Sequence, residues 1–228
     1  MIKHHPKIQL LQAFVDGELP ASLSTAIAIH SDMCPKCQEQ ITLLTEQVAE
    51  NNFEQSFLHE FVVDDEQALD QALELDFDQM LAEITENDDI SIDKPVAKKR
   101  IQLKETDYTL PRQLQNMEIA KPANIGKLAR SRIQLDEGEI HTSLLHIEPG
   151  GSVPEHTHKG FELTLLLEGN FTDEQGEYVP GDFIMLDGSH QHHPISEKGC
   201  LCFTVANDAL KFTQGINKLL NPIGSFIY

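Results

Sequence analysis

Apolar residues recur at helical spacing through the first fifty or so positions of the chain. Ile8, Leu11, Phe14 and Val15 share one face of the segment 7–15, and Asp16–Gly17 closes it. Pro20 to His30, rich in Ala and Ile, predicts a second helix. Ser31 to Cys34 reads as a short turn, and Pro35 to Asn51 as a third helix with Ile41, Leu44 and Val48 on one side. Proline suits a first helical turn, where its missing N–H would have no intrahelical partner. Farther on, Leu73, Phe77, Met80, Leu81 and Ile84 recur every three or four residues and predict an amphipathic helix. Its stripe serves equally to pack on its own domain or to dock on a partner. From about residue 111 the period changes. HTSLLHI, FELTLLL, DFIMLD and LCFTV are short β-type runs separated by Gly, Pro and Asp, which predicts an all-β barrel or sandwich. Residues 87–110 between the two textures show no clear period. The pattern therefore predicts a multidomain α plus β protein: a small helical bundle over 1–90, a linker over 91–107 and a β domain over 108–228.

Charge sharpens this division. The 228 residues carry a formal net charge of -20, and residues 1–93 alone hold 3 Lys and 20 Asp+Glu. Phosphate repels such a surface, so direct nucleic-acid binding by this part is not expected, whereas a basic protein would be steered toward it. Within 53–93 there are 14 acidic residues and no Lys or Arg, so the outer face of the amphipathic helix is strongly acidic. No run of about 18 apolar residues predicts a membrane span. The start, MIKHHPKIQLLQAF, lacks the pattern of a secretory signal, and the expected location is the cytoplasm.

Four cysteines fall in two close pairs, Cys34/Cys37 and Cys200/Cys202. In a reducing compartment a C-x-x-C suggests metal or redox chemistry. Here no βαβ pattern surrounds it, which argues against a thioredoxin-type pair. His30, Cys34 and Cys37 form H-x3-C-x2-C, and His4 and His5 lie near the start of the chain. Zinc favours four tetrahedral thiolate and imidazole ligands, and one N-terminal histidine would complete such a set. Spacing alone does not choose between His4 and His5. A closed four-ligand set leaves no open position, so this zinc would be structural, fastening a bundle with a small core.

A second constellation lies in GGSVPEHTHKGFELTLLLEG. Gly150, His156, His158, Glu162 and Gly169 fit G-x5-H-x-H-x3-E-x6-G, the first cupin motif, completely. Side chains alternate along a strand, so His156 and His158 share a face, and Glu162 has the same parity. The second cupin motif is looser. Gly181 opens it, Asp187 stands where the motif has Pro and Ser189 where it has Gly, and the count places a ligand at His192. His190 has the same strand parity and His193 is adjacent, so both compete. Three histidines and one glutamate suit Zn, Fe, Mn or Ni.

The K-H-H-P start, the H-x3-C-x2-C and the acidic tail helix resemble the zinc-binding anti-sigma domain. Joined to a cupin, they resemble the ChrR-type anti-sigma factors, over about 1–90 and 108–215. The resemblance implies a helical zinc bundle followed by a cupin β-barrel (jelly roll), with His5, His30, Cys34 and Cys37 on the structural zinc and His156, His158, Glu162 and His192 on the cupin metal. It implies a protein partner, an extracytoplasmic-function sigma factor that the helical domain wraps and keeps from core RNA polymerase. It also implies a stress signal at the cupin, a small molecule or an oxidant of the singlet-oxygen type. The chain would then be a regulator rather than an enzyme. The rival reading is a metal-dependent, dioxygenase-like cupin enzyme with an accessory zinc domain. Cys200 and Cys202, followed by FTVAND, also look like the ChrR-type cupin; they read as buried small hydrophobes first and as a redox pair second.

Overall fold

A computed structural model of the chain describes residues 1–56, 77–86, 98–158, 160–207 and 210–212. Met1–Leu44 and Lys98–Tyr228 form one compact unit, and Thr45–Ala97 a second. The helices are α1 (Ile8–Val15), α2 (Ala21–Met33), α3 (Pro35–Ser56) and α4 (Phe77–Thr85). The second helix runs through the predicted turn at 31–33, and only Cys34, in extended conformation, separates it from α3. The third helix continues past Asn51 to Ser56.

The strands are β1 (Arg100–Leu103), β2 (Thr106–Thr109), β3 (Ala123–Ile125), β4 (Leu128–Ile133), β5 (His141–Ile147), β6 (Gly151–Ser152), β7 (His156–His158) and β8 (Phe161–Gly169). They continue with β9 (Phe171–Asp173), β10 (Gly176–Tyr178), β11 (Phe183–Asp187), β12 (Gln191–His192), β13 (Ile195–Ser196), β14 (Cys200–Ala206) and β15 (Leu210–Phe212). Residues 98–107, expected as linker, instead build β1 and the start of β2, an antiparallel hairpin pairing Leu103 with Thr106. The remaining described strands form a six-stranded sheet (β11-β8-β14-β5-β4-β3), a four-stranded sheet (β10-β9-β13-β6) and a three-stranded sheet (β12-β7-β15). All pairings are antiparallel among these residues. The described strands form these separate antiparallel sheets and do not close into one barrel.

The large sheet is buried on both faces. On its inner face Ile147, Leu166, Ile184, Leu186, Cys200 and Cys202 pack with Val153, Phe171 and Tyr178. On its outer face Leu144, Leu163, Leu165, Leu201, Phe203 and Val205 form one continuous core with Leu11, Leu23, Ala26, Ile27 and Ile29 of α1 and α2. Leu103, Tyr108, Leu110 and Leu114 of the hairpin segment complete that layer. An antiparallel sheet often leaves one face in water; here the N-terminal helices cover it. Polar contacts fix the cover in place. The Glu137 carboxylate accepts from Ser22 N (3.1 Å) at the start of α2, an end that has no side-chain cap of its own. Asp32 receives both arms of Arg112 (2.7 and 2.8 Å) and Gln113 Nε2 (2.8 Å).

The second unit carries the end of α3, and α4. On α4 Leu81 and Ile84 are 58% and 70% exposed, so the apolar stripe is open at these positions. Leu73, the first residue of the predicted stripe, lies outside the described residues.

Candidate metal centres

The structure draws His5, His30, Cys34 and Cys37 together, with one donor atom from each inside a 4.8 Å span. His5 Nδ1 lies 3.4 Å from both Cys34 Sγ and Cys37 Sγ. Local chain geometry explains the convergence. Cys34 breaks the two helices, Pro35 starts α3, and Cys37 falls in its first turn. His30 sits one turn before the end of α2, and its carbonyl accepts from Cys34 N (2.8 Å). The ring of His30 is fully buried, and its Nδ1–H donates to Gly181 O at 2.7 Å. That fixes the tautomer and leaves Nε2, which has no hydrogen-bond partner among the described residues, as a lone pair aimed into the cluster. His4, the competing histidine, stands outside: its ring lies against Tyr178, with centroids 5.0 Å apart.

The donor set fits a divalent cation. Burial, then the neighbouring Cys34, pushes the Cys37 thiol up to about 12, because two buried sulfurs cannot both ionise unaided. Burial also lowers the pKa of His30, and of His5, where Lys36 adds to the effect. Neutral imidazoles beside two thiols that need a counter-cation are the condition a zinc-type ion satisfies.

The second cluster gathers His156, His158, Glu162 and His192 within the same span. Here the strand-parity argument needs correcting. His156 and His158 lie on β7, but Glu162 lies on a different strand, β8. Convergence comes instead from β12, which places His192 directly opposite His156. His192 Nε2 is 2.9 Å from His156 Nε2 and 3.5 Å from His158 Nε2, while Glu162 Oε2 lies 2.8 Å from His158 Nε2 and 3.4 Å from His192 Nε2. Of the two competitors for His192, His190 is half-buried and bonded to Asp187 and Ser189, and neither it nor His193 belongs to the cluster.

Three ring nitrogens this close cannot all present lone pairs to empty space. His192 Nε2 is within hydrogen-bond distance of both other Nε2 atoms. Burial lowers the pKa of His156 to about 4, whereas at His192 the carboxylates of Asp173 and Glu162 outweigh burial and raise it to about 9. Burial opposes the charge of Glu162 too, but hydrogen bonds from His158 and His192 hold it well below the usual carboxylate range. A donor set of three inward-facing imidazoles and one carboxylate fits a divalent cation. The outer nitrogens are consistent with this. His156 Nδ1–H donates to Pro154 O (2.8 Å), and His192 Nδ1 faces Asp173 Oδ2 at 3.5 Å. Both arrangements aim Nε2 inward, as a carboxylate or carbonyl behind a metal-bound histidine does.

Sequence reasoning missed Asp173, Tyr178 and Asp182. Asp182 is fully buried and accepts three backbone N–H groups, from Lys3 (2.7 Å), His4 (2.9 Å) and Val179 (2.9 Å). An Asp after the motif's Gly181 was the available signal; nothing in the sequence pairs it with residues 3 and 4. Cys200 and Cys202 are buried free thiols on the inner face of β14, as small hydrophobes are.

Comparison with known proteins agrees with this architecture. Residues 128–209 match the family described as the ChrR cupin-like domain. The anti-sigma-E factor ChrR of Cereibacter sphaeroides is 28% identical over 228 residues, which is 97% of each chain. The crystal structure of Rhodobacter sphaeroides SigE in complex with the anti-sigma ChrR aligns with a TM-score of 0.59 at 25% identity, covering 90% of this chain and 99% of that one. From its paired N-terminal donors to its cupin-like sheet, the chain is thus similar to the anti-sigma factor ChrR over nearly its whole length, and residues 128–209 match the ChrR cupin-like domain.

Proposed function

We propose that this chain is a cytoplasmic anti-sigma factor of the ChrR type, which holds an extracytoplasmic-function sigma factor inactive and releases it on a stress signal received at the cupin. The observation that carries the reading is the end-to-end similarity to ChrR, a protein described as an anti-sigma-E factor, together with the convergence of both donor sets. In this reading His5, His30, Cys34 and Cys37 hold a structural Zn2+. His156, His158, Glu162 and His192 hold the cupin metal, Zn2+ or one of Fe, Mn and Ni. The acidic helical part over 1–90 captures the sigma factor, and the cupin receives a small molecule or an oxidant of the singlet-oxygen type. Neither DNA nor a membrane is contacted; among the described residues no helix is long and apolar enough to cross a bilayer.

Release requires the signal to favour the free state. Moving from about 99% bound to about 99% free takes roughly 5.5 kcal/mol of differential stabilisation. A structural zinc contributes about 10 kcal/mol or more to folding, so weakening one centre is sufficient.

Because α1 and α2 share a core with the sheet, the test uses the full chain. Immobilised with zinc in a lysate of its source organism, it should retain one sigma factor near equal stoichiometry, and lose it on chelation. A zinc-loaded chain that retains no sigma factor but consumes oxygen with a diketone after iron loading would establish the enzyme reading instead.

A further inference from the structure

The two donor sets are joined by a short run of contacts. Behind His192, Asp173 faces Nδ1 at 3.5 Å, and its side chain is 1% exposed. The other oxygen of Asp173 accepts from Gln175 N (2.8 Å) and from the hydroxyl of Tyr178 (3.2 Å). Tyr178, 1% exposed, is held on its other side by Phe171, with ring centroids 4.7 Å apart. Its ring lies against His4, whose N–H is held by Asp182 (2.9 Å) and whose carbonyl accepts from Phe183 N (3.1 Å). The next residue is His5, which approaches both sulfurs of the first cluster. Three side chains, Asp173, Tyr178 and His4, therefore separate one cluster from the other.

We propose that Tyr178 is the positioning residue through which occupancy of the cupin cluster sets how firmly the N-terminal arm, and with it His5, is seated on the first cluster. The inference rests on both clusters being metal centres. Its physical basis is geometric. His192 Nε2 lies 2.9 Å from His156 Nε2 and 3.5 Å from His158 Nε2, so a cation bound between them holds all three rings with Nε2 inward. Without the cation only N–H···N contacts restrain the rings, and the least tethered one is free to turn. His156 is tethered through Pro154 O, whereas His192 stands on a strand of two residues. A turn of His192 moves its Nδ1 off Asp173, which frees the Tyr178 hydroxyl and loosens the ring on which His4 rests. Coupling of this kind is reciprocal: a firmly seated His5 also favours the loaded cupin cluster.

The test follows protection of Cys34 and Cys37 against iodoacetamide in the full-length, zinc-loaded chain, mapped by mass spectrometry. Metal content is read by native mass spectrometry. His158→Ala, which disables the cupin cluster without touching Asp173, should raise alkylation of Cys34 and Cys37 at least about fivefold. Tyr178→Phe keeps the ring and removes the hydroxyl, and should do the same with both ions still bound. The double variant should react no faster than either single one, because both act on one link. Cys200 and Cys202 should stay unreactive throughout, which separates this effect from general opening. Wild-type rates in His158→Ala, or effects that multiply in the double variant, would overturn the coupling. A wild-type chain holding fewer than two ions would overturn the two-centre reading and the coupling together.

Discussion

At the residue scale, Asp182 organises more of the molecule than any ligand candidate. Burial works against its charge, but three backbone N–H donors outweigh it and hold the carboxyl below the usual carboxylate range. Truncating it leaves those donors without a partner in a dry site, each costing about 1–3 kcal/mol unless water reaches it. Asp182→Ala should therefore lower unfolding stability by about 2–4 kcal/mol in urea denaturation. The sign with pH follows from the lowered pKa. The contribution is complete above the pKa of an unfolded aspartate and is lost as pH falls through the lower folded value, so the Ala variant and wild type should converge in acid. The histidines make a second, sharper prediction. His192→Ala should remove the cupin ion, and His190→Ala should leave metal content at wild type, as measured by plasma emission. Equal losses would mean that the 188–193 loop, not the β12 register, selects the ligand. The residue types that converge in each cluster were legible in the sequence, because H-x3-C-x2-C and the cupin motif are local patterns. The choice between His4 and His5, and between His190 and His192, was not. It depends on which residue Asp182 and β7 hold in place, and those contacts span 178 and 36 positions of sequence.

At the scale of elements, the run LTLLL in β8 already departs from strict alternation, the mark of a strand covered on both faces. The strand runs were therefore readable, but what covers the outer face was not. The β1–β2 hairpin was hidden for a local reason. Its two-residue turn is Lys104–Glu105, with Lys104 at φ 57, where Asn or Gly would have announced a hairpin. Its strands also carry Arg100, Gln102, Asp107 and Thr109 on the exposed side, so the stretch reads as linker. Gly181 shows the same close fit from the other side. At φ 93 it favours glycine, and a Cβ there would lie 2.4 Å from Ile2 Cδ1. The shared core leads to a plain expectation. A fragment of 98–228 bares Leu163, Leu165, Leu201 and Phe203, and should bind a hydrophobic dye or self-associate, whereas the full chain should do neither. In the full chain, Leu165→Ala should cost about 2–5 kcal/mol. A monomeric, dye-silent fragment would mean that another segment closes over the sheet.

At the scale of the whole molecule, the proposed capture of a partner draws on charge and on apolar surface in separable ways. Nearly all of the net charge of -20 sits in residues 1–93, and that excess acts over distance, before contact. Salt screens such a field, with a Debye length near 10 Å at 0.1 M and about 3 Å at 1 M. Leu81 and Ile84, open on α4, act only on contact and are indifferent to salt. The association rate with a basic partner should therefore fall by one to two orders of magnitude between about 0.05 and 0.5 M salt, while the dissociation rate changes little. In Leu81→Ser/Ile84→Ser the pattern should invert, with association kept and dissociation faster. Rapid-mixing fluorescence with the full chain measures both rates. Dissociation that accelerates with salt as steeply as association slows would place the charges inside the contact itself. The acidic face would then be part of the grip rather than the means of approach, and the apolar stripe would be left as packing for its own unit.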